Sequence, residues 1–141
     1  MLKKTITYTD YNDVERTEDF YFNLSKAELA EMELSVDGGY AEMAKKIANE
    51  KRAPELVKLF KDLILKAYGE KSADGKRFMK VDNNGTPLNI AFSQTEAYSE
   101  LFMELSQNAD AAAKFFTGVI PADLGKQVTA QMAAGAISAS V

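Results

Sequence analysis

The sequence predicts an α+β fold, with an N-terminal β-hairpin followed by a mainly α-helical bundle of about five helices. Three observations support this class. Two segments near the N-terminus alternate polar and apolar residues, later apolar residues recur at helical spacing, and two serines stand where helices commonly begin. With 141 residues, 46% of them hydrophobic, the chain can bury one core. We expect a single α+β domain over residues 1–124 and an alanine-rich tail over residues 125–141.

The first predicted element is the hairpin. Ile6 and Tyr8 alternate with threonines, and a polar turn separates them from a second alternating segment. That segment places Val14, Phe20 and Phe22 on one apolar face. Two strands alone are marginally stable in water, so the helices that follow are expected to cover this face.

Capping residues predict the first helices. Ser25 and Glu28 form a capping-box pair, in which each side chain bonds the other residue's backbone N–H, so a helix is expected from Ser25. Gly38 and Gly39 allow the positive φ angles that end a helix. A second helix is expected from about Tyr40 to Asn49.

The central helix is predicted to begin at Pro54, whose missing N–H suits a first helical position. It carries the longest apolar stripe in the chain and is expected to end at Gly69. The polar run 69–77 predicts a surface loop, and Phe78 and Val81 predict a short extended segment after it.

Two further helices are predicted before the tail. Ser93 and Glu96 resemble a second capping box, which predicts a helix running to about Gln107. Another is expected from Asp110 to about Thr117. The segment 125–141 consists largely of alanine and small polar residues, so it has little to bury and is expected to be mobile when alone.

Composition argues against catalysis. The chain has no cysteine, which excludes disulfides and thiolate metal sites, and no histidine, which is the commonest general base and metal ligand. Lysine and arginine total 17 against 21 acidic residues, a net charge of -4, so nucleic acid is not an expected partner. We predict no cofactor, no metal and no enzymatic activity.

The sequence also predicts a location. The N-terminus lacks the unbroken apolar stretch of a signal peptide, and no segment reaches the length needed to span a membrane. We therefore expect a cytoplasmic protein that does not interact with membranes.

Three candidate sites favour plain structural interpretations. The segment 82–85 resembles the start of a calcium loop, but its glycine is at position four and Ser93 at position twelve, so a turn is favoured. The basic run 74–77 lies among acidic residues, which favours a solvated loop over a nucleic-acid contact. Carboxylate pairs such as Glu100 and Glu104 are predicted to lie on solvated helix faces rather than to act as a general acid and base.

Apolar residues outside the main stripes are the candidates for partner binding. Eight phenylalanines, six tyrosines and six methionines are many for one small core, and methionine suits adaptable binding surfaces. The predicted partner-binding residues are Tyr40, Met79, Met103 and Phe116. The alternative is that they are scattered surface hydrophobic residues, which are normal.

Four stretches of the chain, taken in order, resemble the tail assembly chaperones of long-tailed bacteriophages that infect Gram-positive hosts. They are Thr5–Asn12, Glu18–Leu29, Ile64–Ser72 and Phe92–Tyr98. The resemblance runs from about Leu2 to Leu124 and leaves the tail uncovered. These stretches hold hairpin, cap and helix segments rather than an active-site motif.

The resemblance implies a non-enzymatic role in tail morphogenesis in the bacterial host cytoplasm. Members of this family bind the tape measure protein, an extended, largely helical chain, and help recruit tail tube subunits around it. They are often made in a short form and a frameshifted long form, and this chain has the size of a short form. A chaperone that binds a long client binds it better when several copies lie along that client, so weak self-association of this chain is also expected.

Two other functions remain open on the sequence. A virion structural subunit, such as a tail or head-tail connector component, could use the N-terminal hairpin as an edge strand between copies. A small enzyme that relies on carboxylates alone would need a deep acidic cleft.

Overall fold

The computed structural model describes residues 1–40, 42, 43, 46, 50 and 53–121. Within these residues an antiparallel sheet of order β1-β2-β3-β4 accompanies five helices. The elements in chain order are β1 (Leu2–Thr9), β2 (Glu15–Phe22), α1 (Lys26–Leu34), α2 (Ala53–Ala67), β3 (Tyr68–Lys71), β4 (Phe78–Met79), α3 (Leu88–Ser93), α4 (Glu96–Gln107) and α5 (Ala109–Val119). The predicted α+β class, with a hairpin followed by helices, is confirmed.

The hairpin has one buried and one polar face. Strand β1 pairs with β2 along its whole length, and the register places Leu2 opposite Phe22. Ile6 and Phe22 on the inner face are buried, whereas the threonines of the outer face are exposed. Val14 was predicted on the inner face, but this was wrong: it follows Asp13, which has a φ of 61° in the turn, and is 49% exposed.

The core lies between the inner face of the sheet and the helices. Phe22 is fully buried, and its ring makes edge contacts with Tyr68, Phe92 and Phe115 at centroid distances of 5.9, 5.8 and 5.1 Å. Tyr68 and Phe92 stack at 4.1 Å. Such aromatic pairs add to the free energy gained by burying their apolar area.

The segment after α2 differs from its prediction. Helix α2 ends at Ala67, and Gly69 lies inside β3, opposite Tyr21 of β2, so the predicted loop at 69–77 is wrong in its first part. A Cβ at Gly69 would lie 2.5 Å from the Phe78 ring and 2.6 Å from the Met79 carbonyl oxygen. Glycine therefore permits the close approach of β4 rather than a turn.

The short extended segment predicted at Phe78 and Val81 is confirmed. Strand β4 contains Phe78, and an isolated antiparallel bridge joins Val81 to Pro87.

One predicted helix start is confirmed and one is wrong. The Ser25 capping box is present: Glu28 N–H donates to Ser25 Oγ at 3.1 Å, and Ser25 N–H donates to the Glu28 carboxylate at 3.0 Å. Ser93 instead ends α3 and donates to a backbone carbonyl. Helix α4 is capped by Thr95, whose Oγ1 accepts a hydrogen bond from Tyr98 N–H at 3.2 Å.

The last two helices agree closely with prediction. Helix α4 ends at Gln107 as expected, and α5 covers the helix predicted from Asp110 to Thr117 and extends beyond it. Asn108 caps α5 by accepting a hydrogen bond from Ala111 N–H at 3.1 Å.

Two predictions fall largely outside the described residues. Of the helix predicted from Tyr40 to Asn49, positions 40, 42, 43 and 46 are helical and the remainder is not described. The alanine-rich tail at 125–141 and the domain boundary at residue 124 lie beyond the described part, so both stay predictions. Among the described residues, no helix combines the length and apolar character required to cross a membrane.

Candidate functional site

A groove opens between α1 and the C-terminal end of α2. Its volume is about 320 Å³. We call it the α1–α2 groove, and its lining residues are Leu24, Glu28, Glu31, Met32, Ser35 and Lys66. Leu24 and Met32, which are 1% and 8% exposed, form the floor of the groove, while the exposed Glu31 and Lys66 place charge at its border.

The groove-lining residues of α1 share one helix face. Glu31 and Met32 lie three and four residues after Glu28, and Ser35 lies four and three residues after them, so all four lie along the same side of the helix. The capping box at Ser25 fixes where this helix begins. The packing of α1 beside α2 then decides that this face lines the groove.

Lys80 links the beginning of α1 to the end of α2, beside the groove-lining residues Glu28 and Lys66. Its ammonium group donates to Asn23 O at 2.8 Å and to Lys66 O, and it pairs with Glu28 Oε2 at 3.1 Å. Burial lowers the pKa of Lys80, and the hydrogen bond to Glu28 opposes this shift. Glu28 therefore serves α1 as cap and ion-pair partner, which leaves Glu31 as the acidic group open to solvent.

Tyr40 lies next to the groove. The Nζ of Lys66 is 5.6 Å from the centroid of the Tyr40 ring. The Tyr40 hydroxyl is the one buried side-chain nitrogen or oxygen among the described residues with no hydrogen-bond partner. Burial raises the pKa of Tyr40 to about 12, with a smaller contribution from Asp62. An orphaned buried hydroxyl is uncommon and suits a place where a bound partner completes the hydrogen bond.

The other predicted partner-binding residues lie elsewhere. Met79 is on β4 and Met103 is on α4, which packs on β1 at the opposite edge of the sheet. Phe116 on α5 is partly buried against the core. Met103 is 48% exposed. Tyr40 thus lies beside the groove, next to its lining residue Lys66. Met79 and Met103 lie on different elements and do not form one surface.

Sequence reasoning named none of the six groove-lining residues as binding candidates. The spacing of Glu28, Glu31 and Met32 on α1 can be read from the sequence. That they face a cavity depends on where α2 lies, which the spacing does not give. The capping box predicts where α1 begins, but it does not give the face that meets α2.

The groove combines apolar and charged side chains. Within the described residues, no group of three acidic side chains is placed to hold a metal ion. Its lining combines a small apolar floor with exposed charges of both signs, Glu31 and Lys66.

Comparison with known proteins gives the family. The profile described as phage tail assembly chaperone matches residues 1–140 and so includes most of the alanine-rich tail, which the sequence resemblance left uncovered. No curated protein and no solved structure matches the chain. The match spans nearly the whole chain, and the protein therefore belongs to the phage tail assembly chaperone family.

Proposed function

We propose that this protein is a non-enzymatic chaperone that binds the phage tape measure protein in the host cytoplasm and assists assembly of the tail tube around it. The observation that carries the proposal is the α1–α2 groove in a member of the tail assembly chaperone family. A largely helical client presents repeated apolar side chains, and one such side chain would contact Leu24 and Met32 at the floor of the groove.

The electrostatics support the same role. Glu31 and Lys66 border the groove floor formed by Leu24 and Met32, so a helix with a basic and an acidic residue beside its apolar contact would pair with both. The net charge of -4 helps keep a complex with an apolar client soluble. Weak binding at many places along a long client would still hold it, because linked sites reinforce one another.

The decisive experiment fills the groove. Ser35→Trp places a large ring at the groove, and co-expressed tape measure protein should then be captured at least about tenfold less well, as for a lost binding hot spot. Ser106→Trp is the matched control, because both serines are exposed near a helix end and donate to the carbonyl three residues earlier, at 2.7 and 3.2 Å. Undiminished capture by Ser35→Trp would refute the groove as the client site.

Met103 is tested separately. As an exposed residue on α4 it can be replaced by Asp without disturbing the core. If the predicted role in partner binding is right, Met103→Asp weakens capture; unchanged capture removes Met103 from the client surface. Phe116 is packed against the core, so its substitution would not separate binding from folding.

A virion structural subunit is the second candidate. The observation in its favour is the outer edge of β1, with which no described strand pairs and along which a strand of a different neighbouring subunit could join. Mass spectrometry of purified particles separates the two functions. A chaperone is absent from mature virions, whereas a structural subunit is present in many copies.

A further inference from the structure

Strand β1 has a long open edge. It is the outermost strand on one side of the sheet and is 8 residues long, whereas β4 on the other side has 2 residues. No described strand pairs with its outer side. Sheet edges are commonly protected by proline, by a bulge or by an inward-facing charge. Strand β1 has no proline, its pairing with β2 is continuous, and its inward charge, Lys4, is neutralised by Glu104 at 2.8 Å.

The turn shows which backbone groups are free. Asp10 N–H donates to Val14 O at 2.9 Å, so these residues form a hydrogen-bonded pair at the end of the ladder. Hydrogen-bonded and non-hydrogen-bonded pairs alternate in an antiparallel ladder. Even-numbered residues of β1 therefore bond β2. The N–H and C=O groups that point outwards belong to Lys3, Thr5, Thr7 and Thr9.

A row of glutamates on α4 borders this edge. Glu104 contacts Lys4, and Glu96 accepts a hydrogen bond from Tyr11 at 2.6 Å, so this side of α4 lies over β1. Glu100 stands between them on the same helix face and is exposed. The edge thus combines an open backbone ladder with carboxylates above it.

The spacing of the row matches that of an added strand. Residues four apart on a helix are separated by about 6 Å along its axis, and alternate residues of a strand by about 6.8 Å. Alternate side chains of a strand paired to β1 would face α4, so lysine or arginine at those positions would approach Glu96 and Glu100.

A second copy of this chain fits the edge poorly. Antiparallel pairing of two β1 strands about a two-fold axis would place both α4 helices on the same side of the joined sheet. Their glutamate rows would then face each other, and opposed like charges are unfavourable. A segment that carries no helix over its own edge avoids this repulsion.

We propose that the β1 edge binds, by strand addition, an extended segment of another protein with lysine or arginine at alternate positions facing α4. The backbone ladder supplies affinity, and the glutamate row selects basic partners. This surface is separate from the α1–α2 groove, and the inference does not depend on the proposed client.

The test is an NMR titration of the full-length labelled protein with a short peptide in which lysine alternates with valine. Saturable shifts are expected at the amides of Thr5 and Thr7. Thr7→Pro removes an outward-facing N–H without breaking a backbone hydrogen bond to β2, but it also removes the hydroxyl that contacts Thr17 Oγ1 at 2.9 Å; it should weaken binding about fivefold or more. Thr7→Val loses the same hydroxyl but keeps the N–H, so it should bind like the natural chain. Glu100→Lys, which changes only an exposed side chain, should also weaken binding about fivefold.

Several outcomes would overturn the proposal. Equal binding of a peptide in which glutamate alternates with valine would remove the role of the glutamate row. Unchanged affinity in Thr7→Pro, shown by circular dichroism to be folded, would remove strand addition. A dimer that sedimentation detects and Thr7→Pro abolishes would assign the edge to a second copy instead.

Discussion

The surroundings of β2 and the surroundings of α1 are built differently. Phe22 at the end of β2 contacts three other aromatic rings and is fully buried. Helix α1 has one buried residue, Met32, and ends at Leu34, which is 85% exposed. It is held by its capping box and by the ion pair between Glu28 and Lys80.

This difference agrees with the proposed binding role of α1. Binding elements are commonly drawn from the less stable parts of a protein, because they must adjust to a partner. The aromatic core around β2 supplies a rigid support, while α1 carries one side of the α1–α2 groove. The comparison predicts that substitutions around β2 act on folding, whereas those around α1 act on local opening and binding.

The largest effect is expected at Phe22. Phe22→Ala should lower the free energy of unfolding by about 4 kcal/mol, because it leaves a cavity among the aromatic rings. Met32→Ala should lower the free energy of unfolding by about 2 kcal/mol, at the low end for a buried methionine, because Met32 lines the groove rather than the aromatic core. Urea denaturation measures both. Equal losses would mean that α1 is as firmly integrated as β2.

The next largest effect is expected at Gly69. Gly69→Ala should cost about 2–3 kcal/mol, because its Cβ would meet the Met79 backbone and displace β4. Gly118→Ala is the control: its Cβ would meet only the movable Leu2 side chain, and alanine favours the helix. Thermal unfolding should separate the two variants. A cost of under about 0.5 kcal/mol for Gly69→Ala would contradict the close approach of β3 and β4.

A smaller and more local effect is expected at Lys80. Lys80→Met should cost about 1–2 kcal/mol, because two backbone carbonyls and Glu28 lose a donor. Hydrogen exchange should become faster in α1 while the amides of β2 keep their protection. Uniformly faster exchange would show that Lys80 supports the whole fold rather than α1.

The smallest effect, opposite in sign, is expected at Tyr40. Tyr40→Phe removes a buried hydroxyl without a partner in the described structure and should stabilise the free protein by about 0.5–1 kcal/mol. If the client supplies the missing partner, the same variant should bind the tape measure protein less well. A loss of stability in Tyr40→Phe would show that the hydroxyl is already bonded in the free protein.

The pH dependence gives a second measurement on Tyr40. Its folded pKa of about 12 is above the ordinary 10.0, so the folded state retains the proton that the unfolded state releases. This tyrosine therefore leaves the free energy of unfolding unchanged below about pH 10. The free energy of unfolding then decreases as the pH rises through the folded pKa. The phenolate absorbance of one tyrosine should appear near pH 12, and it should be missing in Tyr40→Phe.

Local signals in the sequence determined much of the fold. Alternation predicted β1 and β2, and the capping pair at Ser25 predicted the start of α1, because each signal involves residues that are neighbours in the chain. The Tyr40 candidate also came from the sequence, since the residue lay off the main apolar stripes.

Tertiary structure decided the rest. Gly69 reads as a helix end on local grounds, but its strand conformation depends on pairing with Tyr21 across the sheet. Ser93 and Thr95 are both plausible caps, and the structure selects Thr95. The α1–α2 groove and the glutamate row over β1 join residues far apart in the chain. Periodicity states which side chains share a face of a helix, but only packing determines what that face meets.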